Sequence, residues 1–238
     1  MRGERVLTLV YSEGFRAPSL SELYLLHTSS YGLTMQGNPY LLPEKVQAIE
    51  IIHENLQSDY WHWSISLFHN RYENMIDFVY TVPVLAINRE GVTGNGIEYK
   101  FQFGVIDAIN FSGSCAYLNM SDRGGDPILY RSKHRGQLYI NYQNKLIKIR
   151  VGVQAWSKQN YEDFLSHQYQ LVDEKIIFPF RELPERVIPE LILSKEMGTY
   201  TASLRISNVF DTQYELIQDY PMPGRTWNFT LTKTIKKE

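Results

Sequence analysis

Gly224-Arg225-Thr226-Trp227-Asn228-Phe229-Thr230-Leu231-Thr232 reads as one β-strand with two unlike faces. Trp227, Phe229 and Leu231 alternate with Thr226, Asn228, Thr230 and Thr232, the period of two that sends successive side chains to opposite sides of a sheet. The preceding Tyr220-Pro221-Met222-Pro223-Gly224 is rigid, and its prolines lack the N–H that a ladder needs. It delivers the chain into the strand and does not extend it.

Outward from this strand the same two-faced pattern recurs. In 199–210, Tyr200, Ala202, Leu204 and Ile206 oppose Thr201, Ser203 and Arg205. In 146–158, Ile147, Ile149, Val151 and Val153 oppose Lys148, Arg150 and Gln154, and in 133–144 Leu138, Ile140 and Tyr142 share a face. Strands are predicted likewise at 108–120, at 86–104 (Ile97, Tyr99, Phe101, Phe103 against Glu98, Lys100, Gln102), at 60–80 (Trp61, Trp63, Ile65, Leu67 against His62, Ser64, Ser66), at 44–56 and at 5–12. Segment 184–197 lacks a clean alternation. The total is about ten strands.

The connections narrow the topology. Those at 13–43, 121–132, 159–183 and 211–223 are long, and those at 57–59, 105–107, 145 and 198 are tight; only 81–85 interrupts the alternation. Long loops at one end and tight turns at the other belong to an up-and-down meander, the layout of transmembrane barrels. A Greek-key sandwich would not keep that parity. Within the first long loop, Ser19-Leu20-Ser21-Glu22 has capping-box spacing and predicts a short helix over 20–26.

Composition excludes several classes. The formal charge of −2 over 238 residues gives no basic balance for nucleic acid. The 17 Tyr, 11 Phe and 4 Trp suit a surface meeting both water and apolar matter. One cysteine, Cys115, permits no internal disulfide, and no apolar run reaches the roughly 18 residues of a membrane helix. The start, Met1-Arg2-Gly3-Glu4-Arg5-Val6, has no apolar export segment. Alternation alone fits a soluble sandwich as well as a barrel; loop parity and charges confined to one face (Glu98, Lys100, Lys148, Arg150, Arg205) favour the barrel with a wet lumen.

Blocks of the sequence then resemble the C-terminal part of TonB-dependent outer-membrane receptors, in the family's order. They are Ser12-Glu13-Gly14-Phe15-Arg16-Ala17-Pro18-Ser19-Leu20-Ser21-Glu22-Leu23-Tyr24, Gly37-Asn38-Pro39-Tyr40-Leu41-Leu42-Pro43-Glu44, Asn70-Arg71-Tyr72-Glu73-Asn74-Met75-Ile76-Asp77, Gly94-Asn95-Gly96-Ile97-Glu98, Asn208-Val209-Phe210-Asp211-Thr212-Gln213-Tyr214 and Tyr220-Pro221-Met222-Pro223-Gly224-Arg225. The layout is most similar to the cobalamin and siderophore receptors. The resemblance implies an all-β, antiparallel, up-and-down transmembrane β-barrel, of which this chain supplies about ten C-terminal strands out of about 22. Residues 1–238 would form that portion of the barrel, with the plug domain and first half absent. Implied partners are outer-membrane lipid, the missing N-terminal barrel and plug, TonB acting through the plug, and a small-molecule ligand such as a metal chelate. The implied location is a Gram-negative outer membrane. The tail Lys233-Thr234-Ile235-Lys236-Lys237-Glu238 follows the last strand where the family ends on an aromatic residue, which predicts inefficient insertion.

No nucleophile–base set appears, so neither an enzyme nor a resident cofactor is expected. The histidines His27, His53, His62, His69, His134 and His167 lack metal-ligand spacing, and His62 and His69, an odd number of residues apart, face opposite sides. Asp122, Arg123 and Asp126 read as solvated turn residues, and Gly94 and Gly96 as a bulge or a close backbone approach rather than a dinucleotide loop. Candidate ligand contacts are the long-loop residues His27, Tyr31, Tyr40, Tyr161, Asp163, His167 and Tyr169. Two other readings stay open at this level: a truncated or split-gene remnant without independent function, and a soluble β-rich binding module. The last strand's free edge is expected to stay open rather than close on 5–12, although ten strands are enough to close a small barrel.

Overall fold

A computed structural model describes residues 4–28, 34–58, 61–79, 83–163, 168, 170–172 and 175–235. Ten strands form one antiparallel sheet in strict sequence order. They are β1 (Arg5–Arg16), β2 (Glu44–Ser58), β3 (Trp61–Glu73), β4 (Val92–Ile106), β5 (Ile109–Ser121), β6 (His134–Gln143), β7 (Ile147–Trp156), β8 (Arg186–Met197), β9 (Tyr200–Ser207) and β10 (Thr226–Lys233). The sheet does not close: β1 pairs only with β2 and β10 only with β9, so the outer edges of β1 and β10 carry no strand among the described residues.

Register makes each apolar stripe continuous. Trp61, Phe103, Phe111, Ile140, Val151, Leu191, Ile206 and Trp227 are successive cross-strand partners. The neighbouring row runs Ile109, Tyr142, Ile149, Leu193, Leu204, Phe229. Directly paired residues share a face, so these rows form one apolar surface. It is open to the surroundings: Leu9 is 71% exposed and Phe229 70%. On β5 the outward side chains run from Ile109 to Tyr117, roughly 26 Å along the strand at about 3.3 Å per residue, or about 20 Å after tilting. That is the scale of a bilayer's apolar core. The belt ends sharply at polar residues: His69, Asn95 and Asn119 share a row at the long-loop end, with His69 Nδ1 2.7 Å from Asn95 Oδ1. At the short-turn end Lys195 and Lys233 mark the limit, and Lys233 Nζ lies 5.5 Å from the centre of the Tyr200 ring.

The concave face carries the polar rows. Arg205 pairs with Glu190 at 3.3 Å, Ser194 Oγ lies 2.9 Å from Ser203 Oγ, and Arg150 donates to Asn141 Oδ1 at 2.6 Å. Asn228 and Thr230 of the last strand fall on this face, in register with Arg205 and Ser203. His62 lies on it too, and His69 on the other, as their spacing predicts.

Three sequence-derived boundaries shift. Strand 5–12 continues to Arg16, because the backbone ladder from Ser12 to Arg16 pairs with 44–48 despite Gly14 and its polar neighbours. Segment 60–80 is two strands: Asn74 takes φ 54°, the chain turns out of the sheet, and Met75–Val79 forms a separate hairpin with Val84–Arg89. The chain re-enters at Val92 after Gly91, at φ 62°. The real connection therefore spans 74–91, and the one irregularity in the long-short alternation disappears. The helix is Leu20–Tyr24, shorter than 20–26, because Leu25 is already extended (φ −60°, ψ 129°). Its capping box is complete, Glu22 N–H donating to Ser19 Oγ at 3.2 Å and Ser19 N–H to Glu22 Oε2 at 2.7 Å.

The buried apolar cluster lies in the long loops, where Leu41, Ile76 and Ala86 pack with Leu23 and Phe78. Asn88 binds this cap to the sheet end, accepting from Leu42 N–H at 2.8 Å and donating to the Asn74 carbonyl at 2.8 Å. Arg16, at the end of β1, meets both Glu22 of the helix at 3.0 Å and Glu44 of β2 at 3.2 Å.

Two sequence blocks acquire a steric meaning. Asn208 is buried, at φ 51°, and holds the turn by accepting from Thr212 N–H at 2.9 Å and donating to the Thr212 carbonyl at 2.9 Å. Gly96 is a close approach rather than a bulge: a Cβ there would overlap the Phe68 ring and the Tyr117 carbonyl oxygen. The second obstacle is backbone and cannot swing away. Gly96→Ala is expected to destabilise the sheet by about 1–3 kcal/mol, and adding Phe68→Ala should not restore it. Urea unfolding of the refolded chain in detergent, followed by the loss of its folded gel mobility, measures this; full rescue by Phe68→Ala would show that only the ring matters.

Candidate ligand-binding mouth

The long-loop end of the concave face opens into a depression of ≈ 750 Å³. One wall comes from β1–β3, with Glu44, Glu50, Phe68 and Tyr72; the other comes from the 121–134 connection, β6 and β7, with Tyr130, Arg131, Lys133, Arg135 and Trp156. Arg131, Lys133 and Arg135 all line the depression, Arg135 from β6 and Arg131 and Lys133 from the connection that leads into it.

A chain of contacts sets that backbone. Tyr130 is in the left-handed region at φ 56°, a conformation that a bulky residue holds only under external constraint. The constraint is Gln159, whose Nε2–H donates to the Tyr130 carbonyl at 3.2 Å, while Tyr130 N–H donates to the Asn160 carbonyl at 2.9 Å. Gln159 is buried and its Oε1 accepts from Arg186 Nη1 at 3.2 Å. Arg186, 4% exposed, stacks on Trp156 with its guanidinium carbon 4.9 Å from the ring centre. In the register of the sheet Trp156 stands between Arg135 and Arg186. Ser157 stitches the same corner: its N–H donates to the His134 carbonyl at 2.9 Å, and its Oγ accepts from His134 N–H at 3.0 Å.

A second cluster ties the loops together. Arg89, on the Val84–Arg89 strand, bridges Asp77 at 3.0 Å and Asp122 at 2.8 Å. Asp122 also accepts from Gly124 N–H at 2.9 Å and Asp126 N–H at 3.0 Å. This corrects its reading as a solvated turn residue; Asp122 anchors one loop to another. Burial pushes the Glu162 carboxyl above the usual carboxylate range, the Arg89 charge offsets part of this, and Asp77 and Asp126 add to the rise.

The residues nominated from sequence divide. Tyr161 stacks on Tyr130, ring centres 6.4 Å apart, which puts it beside the depression. Asp163 is buried, but it is engaged by Arg181 and accepts from Gln218 Nε2 at 2.9 Å, so it serves loop structure. His27 is exposed in the Leu26–Thr28 and Thr34–Gln36 ribbon, and Tyr40, 88% exposed, projects from the turn after Asn38; neither lines the depression. Tyr31, His167 and Tyr169 lie outside the described residues. Arg131, Lys133, Arg135, Trp156 and Gln159, which line the depression, are not among the residues nominated from sequence. The period-two run Arg131-Ser132-Lys133-His134-Arg135 was the available signal, hidden because it straddles the boundary assigned between loop and strand. Among the described residues no group of three or more His, Cys, Asp or Glu side chains is placed to hold a metal ion.

An open, ordered sheet with an apolar convex belt, a polar concave face and one elaborated loop end defines part of a transmembrane β-barrel. The model of the TonB dependent receptor-like β-barrel family matches residues 6–178, and the chain belongs to that family. Its fold is similar to a variant of the ferric enterobactin receptor PfeA from Pseudomonas aeruginosa in complex with enterobactin (TM-score 0.74, 17% identity, 96% of this chain and 38% of that one). It is also similar to the siderophore receptor PirA from Acinetobacter baumannii (TM-score 0.69, 15% identity, 95% of this chain and 38% of that one). A copper transporter, OprC, matches at TM-score 0.72 and 15% identity over 95% of this chain and 36% of that one. The chain thus spans less than two-fifths of the length of these structures.

Burial raises Glu162, so folding favours its protonated form. Its stability contribution is present below the ordinary carboxylate pKa and is lost as pH rises through the higher folded value. Glu162→Gln should therefore slow proteolysis of the 121–134 and 159–183 loops at neutral pH and change nothing below about pH 4. Limited proteolysis with an acid-tolerant and a neutral protease reads both; faster cleavage of the variant at neutral pH would show that the Arg89 attraction dominates.

Proposed function

We propose that the chain is part of an outer-membrane receptor for TonB-coupled uptake of a scarce solute, an iron–siderophore, cobalamin or similar chelate. The observation that carries the reading is the continuous exposed apolar belt on an open sheet, within a chain whose family match covers residues 6–178. In water such a belt exposes far more contiguous apolar surface than a soluble monomer tolerates. In lipid it costs nothing, and the polar rows at its two ends meet the headgroups. This disfavours the soluble binding module.

In this reading the convex belt faces lipid of a Gram-negative outer membrane, and the loop end with its depression faces outward. The concave polar rows face a lumen filled by a plug domain, through which TonB acts. Plug and remaining barrel strands are supplied by polypeptide outside residues 1–238. The enterobactin bound by PfeA supports a metal chelate as the kind of solute. The role is binding and passage, with no covalent chemistry.

Purified from cell envelopes, the chain should partition with the outer-membrane fraction and need detergent to stay monodisperse. A soluble, monodisperse product without detergent would sink the proposal. Expressed alone in a receptor-deleted strain, it should leave chelate-dependent growth unrestored.

A further inference from the structure

The two ends of the convex belt differ in how their charges are balanced. At the long-loop end the cations Lys45 and Arg71 both stand beside Glu73: Lys45 is its cross-strand partner, and Arg71 Nη2 lies 3.7 Å from its Oε1. Glu13 lies in the next row of the same face. At the short-turn end of β6–β10 this balance is absent. Lys145, Lys195 and Lys233 are exposed and form no ion pair among the described residues. Glu196, the acidic side chain at this end of those strands among the described residues, lies 2.8 Å from Lys148. That pair is on the concave face, out of phase with the belt residues Ile149 and Leu193.

The backbone fixes where the three lysines stand. Lys145 is at the tip of the β6–β7 turn, which Asn144 Oδ1 ties by accepting from Leu146 N–H at 2.9 Å and Ile147 N–H at 2.8 Å. Lys195 is the cross-strand partner of Ile147 and shares its face. Lys233 shares a row with Tyr200, and Thr234 N–H, donating to the Thr199 carbonyl at 2.8 Å, holds the strand just beyond it. Lys195 and Lys233 are two strand spacings apart, about 10 Å. Between them stand the short side chain of Ala202 and the Tyr200 ring, whose centre is 5.5 Å from Lys233 Nζ. The result is a shallow basic notch at the edge of the apolar belt.

Resting on the outer-membrane barrel reading above, we propose that this rim binds the headgroup of an anionic glycerophospholipid, with Lys145, Lys195 and Lys233 donating to its phosphate. The leaflet is the one on the short-turn side, which is periplasmic in such a barrel. The rows next to the notch, with Ile149, Leu193, Leu204 and Phe229, receive the acyl chains. At an interface a lysine lays its stem along apolar surface and carries its ammonium to headgroup level, where a tyrosine ring also settles. A zwitterionic lipid carries its own cation beside the phosphate and gains little from three free ammoniums. An anionic lipid leaves the phosphate charge to the lysines, and each lysine near an anionic surface strengthens binding by about fivefold. At the opposite rim Glu13 and Glu73 repel the same headgroup, so the preference belongs to one leaflet.

The test uses the full chain refolded in detergent and native mass spectrometry of its lipid adducts. Dioleoyl phosphatidylglycerol and dioleoyl phosphatidylcholine are supplied in equal amounts, so only the headgroup differs. The phosphatidylglycerol adduct should predominate by at least about tenfold, and rising salt should narrow the preference. Lys145→Gln, Lys195→Gln and Lys233→Gln together should lower phosphatidylglycerol to the phosphatidylcholine level. Lys145→Arg, Lys195→Arg and Lys233→Arg should keep the preference, and Arg71→Gln at the loop end should leave it unchanged. Unchanged gel mobility and circular dichroism establish that a variant is folded. If the triple glutamine variant does not fold, the three single changes read the same property, each weakening phosphatidylglycerol by about fivefold. Equal adducts of the two lipids, or full preference in the folded glutamine variants, overturns the proposal. Displacement of the lipid by inorganic phosphate at equal concentration also overturns it, since the rim would then hold a phosphate without a lipid. Each of these outcomes leaves the barrel reading standing, and membrane partitioning decides that reading separately.

Discussion

Every backbone N–H and C=O that crosses a bilayer must be bonded within the protein, because the hydrocarbon offers no partner. The ten-strand ladder is this protein's answer, and the rest of the structure follows from keeping it unbroken. It forces strict neighbour-to-neighbour order, since a crossover would run bare backbone through lipid. It also locks register, because a slip of one residue would turn the belt of Trp227, Phe229 and Leu231 into the lumen and Arg205 and Lys148 into lipid. Gly96 shows how little slack remains: a side chain had to be omitted there for the Phe68 ring to cross the sheet. The unpaired outer edges of β1 and β10 are where the same requirement is left open, and they are the places at which further strands would satisfy it.

A sheet with lipid on one side has an unusual energetic division. Its apolar side chains are displayed outward, so hydrophobic burial against protein contributes little across the membrane strands. The compact apolar cluster of Leu41, Ile76 and Ala86 sits instead in the loops. There the 17–43 and 74–91 connections interlock through Asn88, Asn38 and the Arg16 ion pairs. These bonds tie the described parts of the two loops to each other and to the sheet end. Arg89, pairing with Asp77 and Asp122, joins them to the next loop, and Gln159 and Arg186 brace the opposite wall of the depression. The loop end therefore rests on a scaffold whose stability comes from ladder and loop packing together.

Much of the fold was legible in sequence because lipid and lumen impose opposite demands on alternate residues. The alternation of Ile147–Val153 or Tyr200–Ile206 needs no tertiary information, and loop parity follows from counting. Boundaries failed where local backbone geometry decided them. Asn74, in a left-handed conformation, ends β3 inside the segment 60–80 that reads as one strand, and Gly14 fails to end β1 because the partner strand holds it. The surroundings of the depression were less legible. Tyr161, nominated as a ligand contact, stacks beside it on Tyr130, and Asp163, nominated with it, is held by Arg181 and Gln218. Arg131, Lys133 and Arg135 were passed over because the ends of strands and the starts of loops carry mixed patterns.

By itself the sequence determined the strand pattern, the two faces, the long and short ends and the family, since each depends on residues adjacent in the chain or on motifs kept in order. Only the tertiary structure decided which charges are spent and which are free. Glu44 and Arg16 lie far apart in sequence and neutralise each other in space, as do Arg89 and Asp122. Arg135, Trp156 and Arg186 come from three strands and become neighbours only through register. Charge pairing is a property of distance in space, and no local reading of the chain supplies that distance.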